Sequence, residues 1–115
     1  VDAAGEALHR RGYRQAVAKA PLRETLAAAM LAGADYVGDV AVVDPLCGSG
    51  TLVIEAAQVA LRLAPGLARS FDAEQWPAAP AAVWKAAREA AVASRRASAD
   101  VALVGSDRDA GAVQA

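Results

Sequence analysis

The residues best suited to chemistry lie together in Asp44-Pro45-Leu46-Cys47-Gly48-Ser49-Gly50-Thr51, which places an acid, two glycines and two hydroxyls within eight positions. Gly48 and Gly50 allow a tight turn and a close approach of backbone to a ligand. The apolar run Val40–Val43 precedes the acid, and TLVIEAAQVALRLA follows the second glycine, so the order is strand, glycine loop, helix. That order belongs to the nucleotide-type cofactor sites of doubly wound α/β folds, where the ligand lies at the carboxyl ends of the strands. The third glycine of the dinucleotide fingerprint is replaced by Val53, and a phosphate loop needs a lysine where Thr51 stands.

Charge narrows the cofactor class. No Lys or Arg occurs from Asp44 through Glu55, so the local sequence offers nothing to balance a pyrophosphate. Asp44 repels such a group and attracts the sulfonium and ammonium of S-adenosylmethionine. Asp107, at the end of a second apolar run, is placed to accept hydrogen bonds from two ribose hydroxyls, with Asp109 as the alternative. It lies 57 positions after Gly50, far beyond the usual ~20, because an excursion and an extra helix intervene. Cys47 has no base beside it in sequence and reads as a small packing residue, not a nucleophile. His9 has no partner carboxylate fixed by sequence and reads as a junction histidine.

The elements that must carry these residues follow from periodicity. Pro21 opens a helix in which Leu22, Leu26 and Met30 recur at four-residue spacing and Gly33 is the stop. Val40–Val43, ending at Asp44, reads as a parallel strand buried on both faces. The helix from Thr51 is expected to run to Ala64, where Pro65 and Gly66 end it. Residues 66–79 are irregular, with Phe71 and Trp76 packing the excursion onto the domain. A third helix is expected from about Pro80 to Ala97, with Val83, Trp84, Ala87 and Ala91 on its buried side and Lys85, Arg88, Arg95 and Arg96 in solvent. VALVGSD gives the second strand, and DAGAVQA starts another helix. Ahead of all this, residues 1–20 read as a junction segment. Its Arg10, Arg11, Tyr13 and Arg14 form either a solvated connector or an RNA contact whose loss leaves cofactor affinity alone.

Composition bounds the rest. The 115 residues fit one domain or part of one, and 56% are hydrophobic while only 4% are aromatic. Alanine supplies roughly three residues in ten, so the core should be thin. Twelve basic residues stand against thirteen acidic ones, a net charge of -1, which does not suit a body that grips a polyanion unaided. One Cys and one His make neither a disulfide nor a zinc site, and a reducing cytoplasm with no metal is expected. No apolar run is long enough for a membrane span, so no membrane association is expected.

DPLCGSGTLVIEAA, with PLRETLAAAM before it and APGLARSFDAEQW after it, resembles the RNA methyltransferases that carry a THUMP RNA-binding domain ahead of a class I S-adenosylmethionine domain. The likeness is greatest to the bacterial large-subunit ribosomal RNA guanine-N2 branch. It implies a Rossmann-like class I methyltransferase fold in which residues 21–115 form the N-terminal, cofactor-binding part of a mostly parallel sheet. It also implies that Asp44, Pro45, Cys47, Gly48, Ser49, Gly50 and Thr51 line the methionine side of the cofactor, with Asp107 at the ribose and the segment around Leu22 and Thr25 beside it. Such enzymes hold the target amine with an Asn/Asp-Pro-Pro segment, which is absent here. The catalytic residues and the RNA-binding domain are therefore expected outside residues 1–115, with large-subunit ribosomal RNA as partner. A DNA amino-methyltransferase and a non-catalytic cofactor-binding module remain alternatives.

Overall fold

The computed structural model describes residues 2–14 and 21–113. Its elements are α1 (Glu24–Gly33), β1 (Val42–Asp44), α2 (Thr51–Ala60), a single 3-10 turn at Asp72–Gln75, α3 (Ala81–Ala93), β2 (Leu103–Gly105) and α4 (Ala110–Val113). The two strands pair in parallel, with Val42 opposite Leu103, Val43 opposite Val104 and Asp44 opposite Gly105. Parallel pairing requires a crossover, and α2 begins it, packing on both strands and against α1. The expected continuation of the last helix through residues 114–115 and the junction positions 15–20 lie outside the described residues.

Side chains alternate across a strand, and the alternation here separates two unlike faces. Val42 and Leu103 turn toward Leu31, Tyr36, Leu52 and Ala56, which form the core. Val43 and Val104, paired next to them, are 68% and 48% exposed. The expectation of burial on both faces therefore fails within this chain, because α2 and α1 stack on one side of the sheet only.

The apolar stripe assigned to α1 is also displaced. Leu26 and Met30 are about half exposed, whereas Glu24, Ala27 and Leu31 are buried. Alanine explains the change: Ala27, Ala56 and Ala60 are 0%, 0% and 1% exposed, and small side chains let α1 and α2 approach where Leu or Met would hold them apart. Each buried methyl contributes only about 0.8 kcal/mol, against about 1.5–3 for a full leucine. Among the described residues no large side chain is fully buried, in keeping with the thin core expected.

α2 stops a turn earlier than its sequence pattern suggests. The N–H groups of Arg62 and Leu63 return to the carbonyls of Val59 and Gln58 at 3.1 and 2.8 Å, with Arg62 left-handed at φ 54°. This is a Schellman closure with arginine where glycine is preferred. It uses the last carbonyls of the helix before Pro65 is reached.

In the excursion Phe71 stacks on Trp84 with ring centroids 5.8 Å apart, while Trp76 is 40% exposed and is not a core residue. Val83 is exposed as well, so α3 is held through Trp84, Arg88 and Ala91. Arg88 is not in a solvated face. It donates to the carbonyls of Gly66, Leu67 and Arg69 and to Glu74 at 2.6 Å. Arg69 in turn donates to the carbonyls of Ala4, Glu6 and Ala7 and lies 5.0 Å over the Phe71 ring. The excursion is thus tied to α3 on one side and to the chain's first residues on the other.

Two substitutions test this packing. A Cβ at Gly38, whose φ is +85°, would stand 2.6 Å from the Ala60 Cα. Gly38→Ala should therefore lower unfolding stability by about 1–3 kcal/mol. Arg62→Gly should raise it by about 1 kcal/mol by relieving the left-handed residue. Urea denaturation of the whole protein measures both, and equal midpoints for the two variants would contradict this packing.

Candidate functional site

The glycine loop is held by a parallel ladder that continues past the ends of the strands. Ser106 N–H donates to Asp44 O at 2.9 Å, and Cys47 N–H donates to Ser106 O at 2.9 Å. Gly48 N–H then donates to Asp107 Oδ2 at 2.9 Å. Two segments 59 positions apart are thereby brought to one rim. Gly48 and Gly50 both take positive φ, 54° and 79°, a region that suits glycine. Gly50 closes a turn onto Cys47 O at 2.8 Å and its own carbonyl accepts from Ile54, which starts α2. The first N–H groups of α2 have no intrahelical acceptor and face the loop.

Each candidate residue can now be placed. Asp44 ends β1, and its Oδ1 accepts the Leu46 N–H at 3.1 Å. Pro45 is exposed, and Ser49, Gly48 and Gly50 are half-buried. Cys47 packs under the loop, its Sγ 3.1 Å from where a Cβ on Gly105 would stand, which fits a packing role. Asp107 also accepts from the Asp109 N–H at 2.9 Å through Oδ1. The Asp109 and Gly48 N–H bonds hold its carboxyl below the usual range. Asp109 caps α4 by accepting from Gly111 and Ala112 at 3.0 and 3.3 Å. Thr51 is buried at the start of α2, and Thr25 on α1 is exposed.

Among the described residues of the junction segment, Arg11, Tyr13 and Arg14 are drawn into the fold and are not solvated. Arg14 donates from Nε to Glu24 at 3.1 Å, and from Nη2 to Leu22 O and Thr51 Oγ1, each at 3.0 Å. Arg11 pairs with Glu55 at 3.0 Å, and Tyr13 donates its hydroxyl to the same Glu55 oxygen at 3.0 Å. Of the three arginines only Arg10 is well exposed, at 69% of its side chain. The fold therefore does bring a cation beside the cation-free loop, but Glu24 balances it. Burial pushes the Glu55 carboxyl above its usual range despite the attraction of Arg11. Burial first, and then the Glu55 charge, raises the Tyr13 phenol.

Comparison with known proteins gives the family and the fold. Residues 11–115 match the family described as RMKL-like, methyltransferase domain. The chain belongs to that family. A ribosomal RNA large subunit methyltransferase K/L of Alcanivorax borkumensis is 45% identical over 119 residues, covering 99% of this chain and 17% of its own length. The crystal structure of SMU.472 complexed with SAH matches 98% of this chain and 29% of that one, with TM-score 0.85 and 36% identity. A structure from Listeria monocytogenes, described as a predicted N6-adenine-specific DNA methylase, matches 98% of this chain and 30% of its own with TM-score 0.81 and 39% identity. The chain thus spans less than a third of the proteins it matches, and it has the Rossmann-like α/β fold of class I methyltransferases.

In this methyltransferase domain the sequence reading missed Glu24 and Glu55. The signal was present: an acid inside each of two apolar helices, preceded by RGYR, marks buried carboxylates awaiting cations. One consequence is a pH dependence. Because the folded pKa of Glu55 is raised above its ordinary 4.5, its stabilising contribution is full below that value and is lost as pH rises through the raised one. Wild-type stability should therefore fall relative to Glu55→Gln from about pH 4.5 upward. Parallel curves from thermal melts across pH 4–7 would contradict this.

Proposed function

We propose that the loop Asp44–Thr51 and Asp107 bind S-adenosylmethionine, and that the protein containing this chain transfers a methyl group to an exocyclic amine of a base in RNA. The observation that carries the reading is the rim itself. The glycine loop and the second-strand acid meet at the carboxyl ends of two parallel strands, where this fold class binds its cofactor. The residues fit the group. Asp44 keeps one carboxylate oxygen beyond its Leu46 bond for a cationic cofactor, an attraction of about 1–4 kcal/mol at 4 Å depending on exposure. Asp107 has each oxygen engaged once, and an ionised carboxylate offers about four acceptor sites, so it can still receive two ribose hydroxyls.

S-adenosylmethionine, when bound, supplies an electrophilic methyl on a sulfonium. The residues of this chain bind and orient it: left-handed glycines keep side chains away from the approach, and Cys47 fills the space beneath the loop. Rate then comes mainly from aligning methyl and amine for in-line displacement. The name of the Alcanivorax relative supports ribosomal RNA of the large subunit as substrate, and family resemblance favours guanine N2. A target amine in a helix is paired or stacked, so it must be presented in a loop or flipped out. The name of the Listeria structure favours a second reading, an adenine amine of DNA.

Calorimetry on the whole protein should show binding of S-adenosylmethionine and none of NAD, and the reverse result would exclude the cofactor assignment. Asp107→Ala should weaken binding by about 1.5–3 kcal/mol, the range for hydrogen bonds to a charged group. Asp109→Ala should act on α4 alone. Nucleoside mass spectrometry of a deletion strain tests the substrate. Loss of N2-methylguanosine from large-subunit RNA is expected, while an unchanged complement with lost N6-methyladenine in DNA would favour the second reading.

A further inference from the structure

We propose that Arg14 is a positioning residue for the cofactor loop: by joining Leu22, Glu24 and Thr51 in one clamp it fixes the first turn of α2 and so sets cofactor affinity without touching the cofactor. The inference rests on the reading of Asp44–Thr51 as the cofactor loop. Its own observations are the three contacts of one guanidinium, Nε on Glu24 Oε1 at 3.1 Å and Nη2 on Leu22 O and Thr51 Oγ1 at 3.0 Å each. All the protons of Nε and Nη2 are engaged, so the planar group is fixed in place and in orientation. Glu24 begins α1 and Thr51 begins α2, and thus a residue ahead of the fold joins two helix starts.

Sequestration makes the clamp resistant to screening by salt. The Arg14 side chain is 19% exposed, the Glu24 side chain 7%, and Thr51 4%, so water does not readily replace any partner. The loop has two ends to hold. Asp107 holds it at Gly48, and Arg14 holds the residue immediately after left-handed Gly50. Lysine cannot substitute, because a point charge with a flexible stem cannot satisfy three acceptors spread around a planar fork. Neutralising Arg14 is therefore expected to weaken the cofactor, whereas the sequence reading expected loss of the junction arginines to leave cofactor affinity alone.

Arg11 provides the control. It anchors the same segment to the same helix, through Glu55 one turn further along, and makes no contact with Thr51. In the whole protein, calorimetry with S-adenosylhomocysteine and steady-state kinetics with S-adenosylmethionine separate the two. Thr51→Val, which removes one charge-assisted hydrogen bond, should raise Kd about tenfold, and Arg14→Lys, which loses the planar fork, should raise it at least as much. The same variants should raise KM for S-adenosylmethionine more than they lower kcat. The double variant should be no weaker than the worse single one, because both break the same Arg14–Thr51 bond. Thr51→Ser should restore binding to within about twofold, since it keeps the hydroxyl acceptor. Arg11→Lys should lower Tm and leave Kd unchanged. An Arg14→Lys variant whose Tm falls with Kd unaltered would overturn the inference, as would effects that multiply in the double variant. Wild-type protein that fails to bind S-adenosylhomocysteine would instead overturn the cofactor reading, and the inference with it.

Discussion

The backbone ladder between Val42–Asp44 and Leu103–Gly105 is the constraint on which the site depends, because it does not stop where the strands stop. Ser106 continues it on both sides, and the Asp107 carboxylate replaces a carbonyl as the next acceptor for Gly48. Loop and acid are therefore not two features that happen to lie near each other. They are successive rungs of one ladder, and the glycines are needed because the loop must turn through positive φ while its N–H groups remain in register. A displaced strand would move Asp107 and the loop together.

Above that ladder the helices are held by unlike means. α1 and α2 meet through alanines, which allow a close approach but contribute little burial. The junction segment supplies what alanine does not. Arg14 and Arg11 bring positive charge to Glu24 and Glu55, two carboxylates that would otherwise be buried without compensation. Further along the chain, Arg88 and Arg69 organise the excursion by gathering backbone carbonyls, since an irregular segment has few acceptors satisfied by its own secondary structure. Arginine is the chief connector among the described residues of this domain.

The parts legible in the sequence were those encoded locally. β-branched residues before an acid marked β1, glycines marked the turn, and the repetition of an apolar run ending in an acid marked β2. The partners of the junction arginines were not legible because they lie 10, 37 and 44 positions away, a distance no periodicity reports. The buried face of α1 was misplaced for a related reason. Hydrophobic spacing singled out Leu26 and Met30, whereas close helix packing selected Ala27, the smaller residue. The end of α2 was misjudged because a Schellman closure at Arg62 needs no glycine once its hydrogen bonds are made.

The proposed cofactor site is one rim, built from Asp44–Thr51 and Asp107. A crystal structure of the whole protein with S-adenosylhomocysteine tests it most directly. The expected result is the amino-acid end of the ligand against the glycine loop, the ribose hydroxyls on Asp107, and the Arg14–Thr51 bond intact beneath them. Ligand density elsewhere, such as the apolar cleft between Phe71, Trp84 and Ala91, with the rim empty, would contradict it.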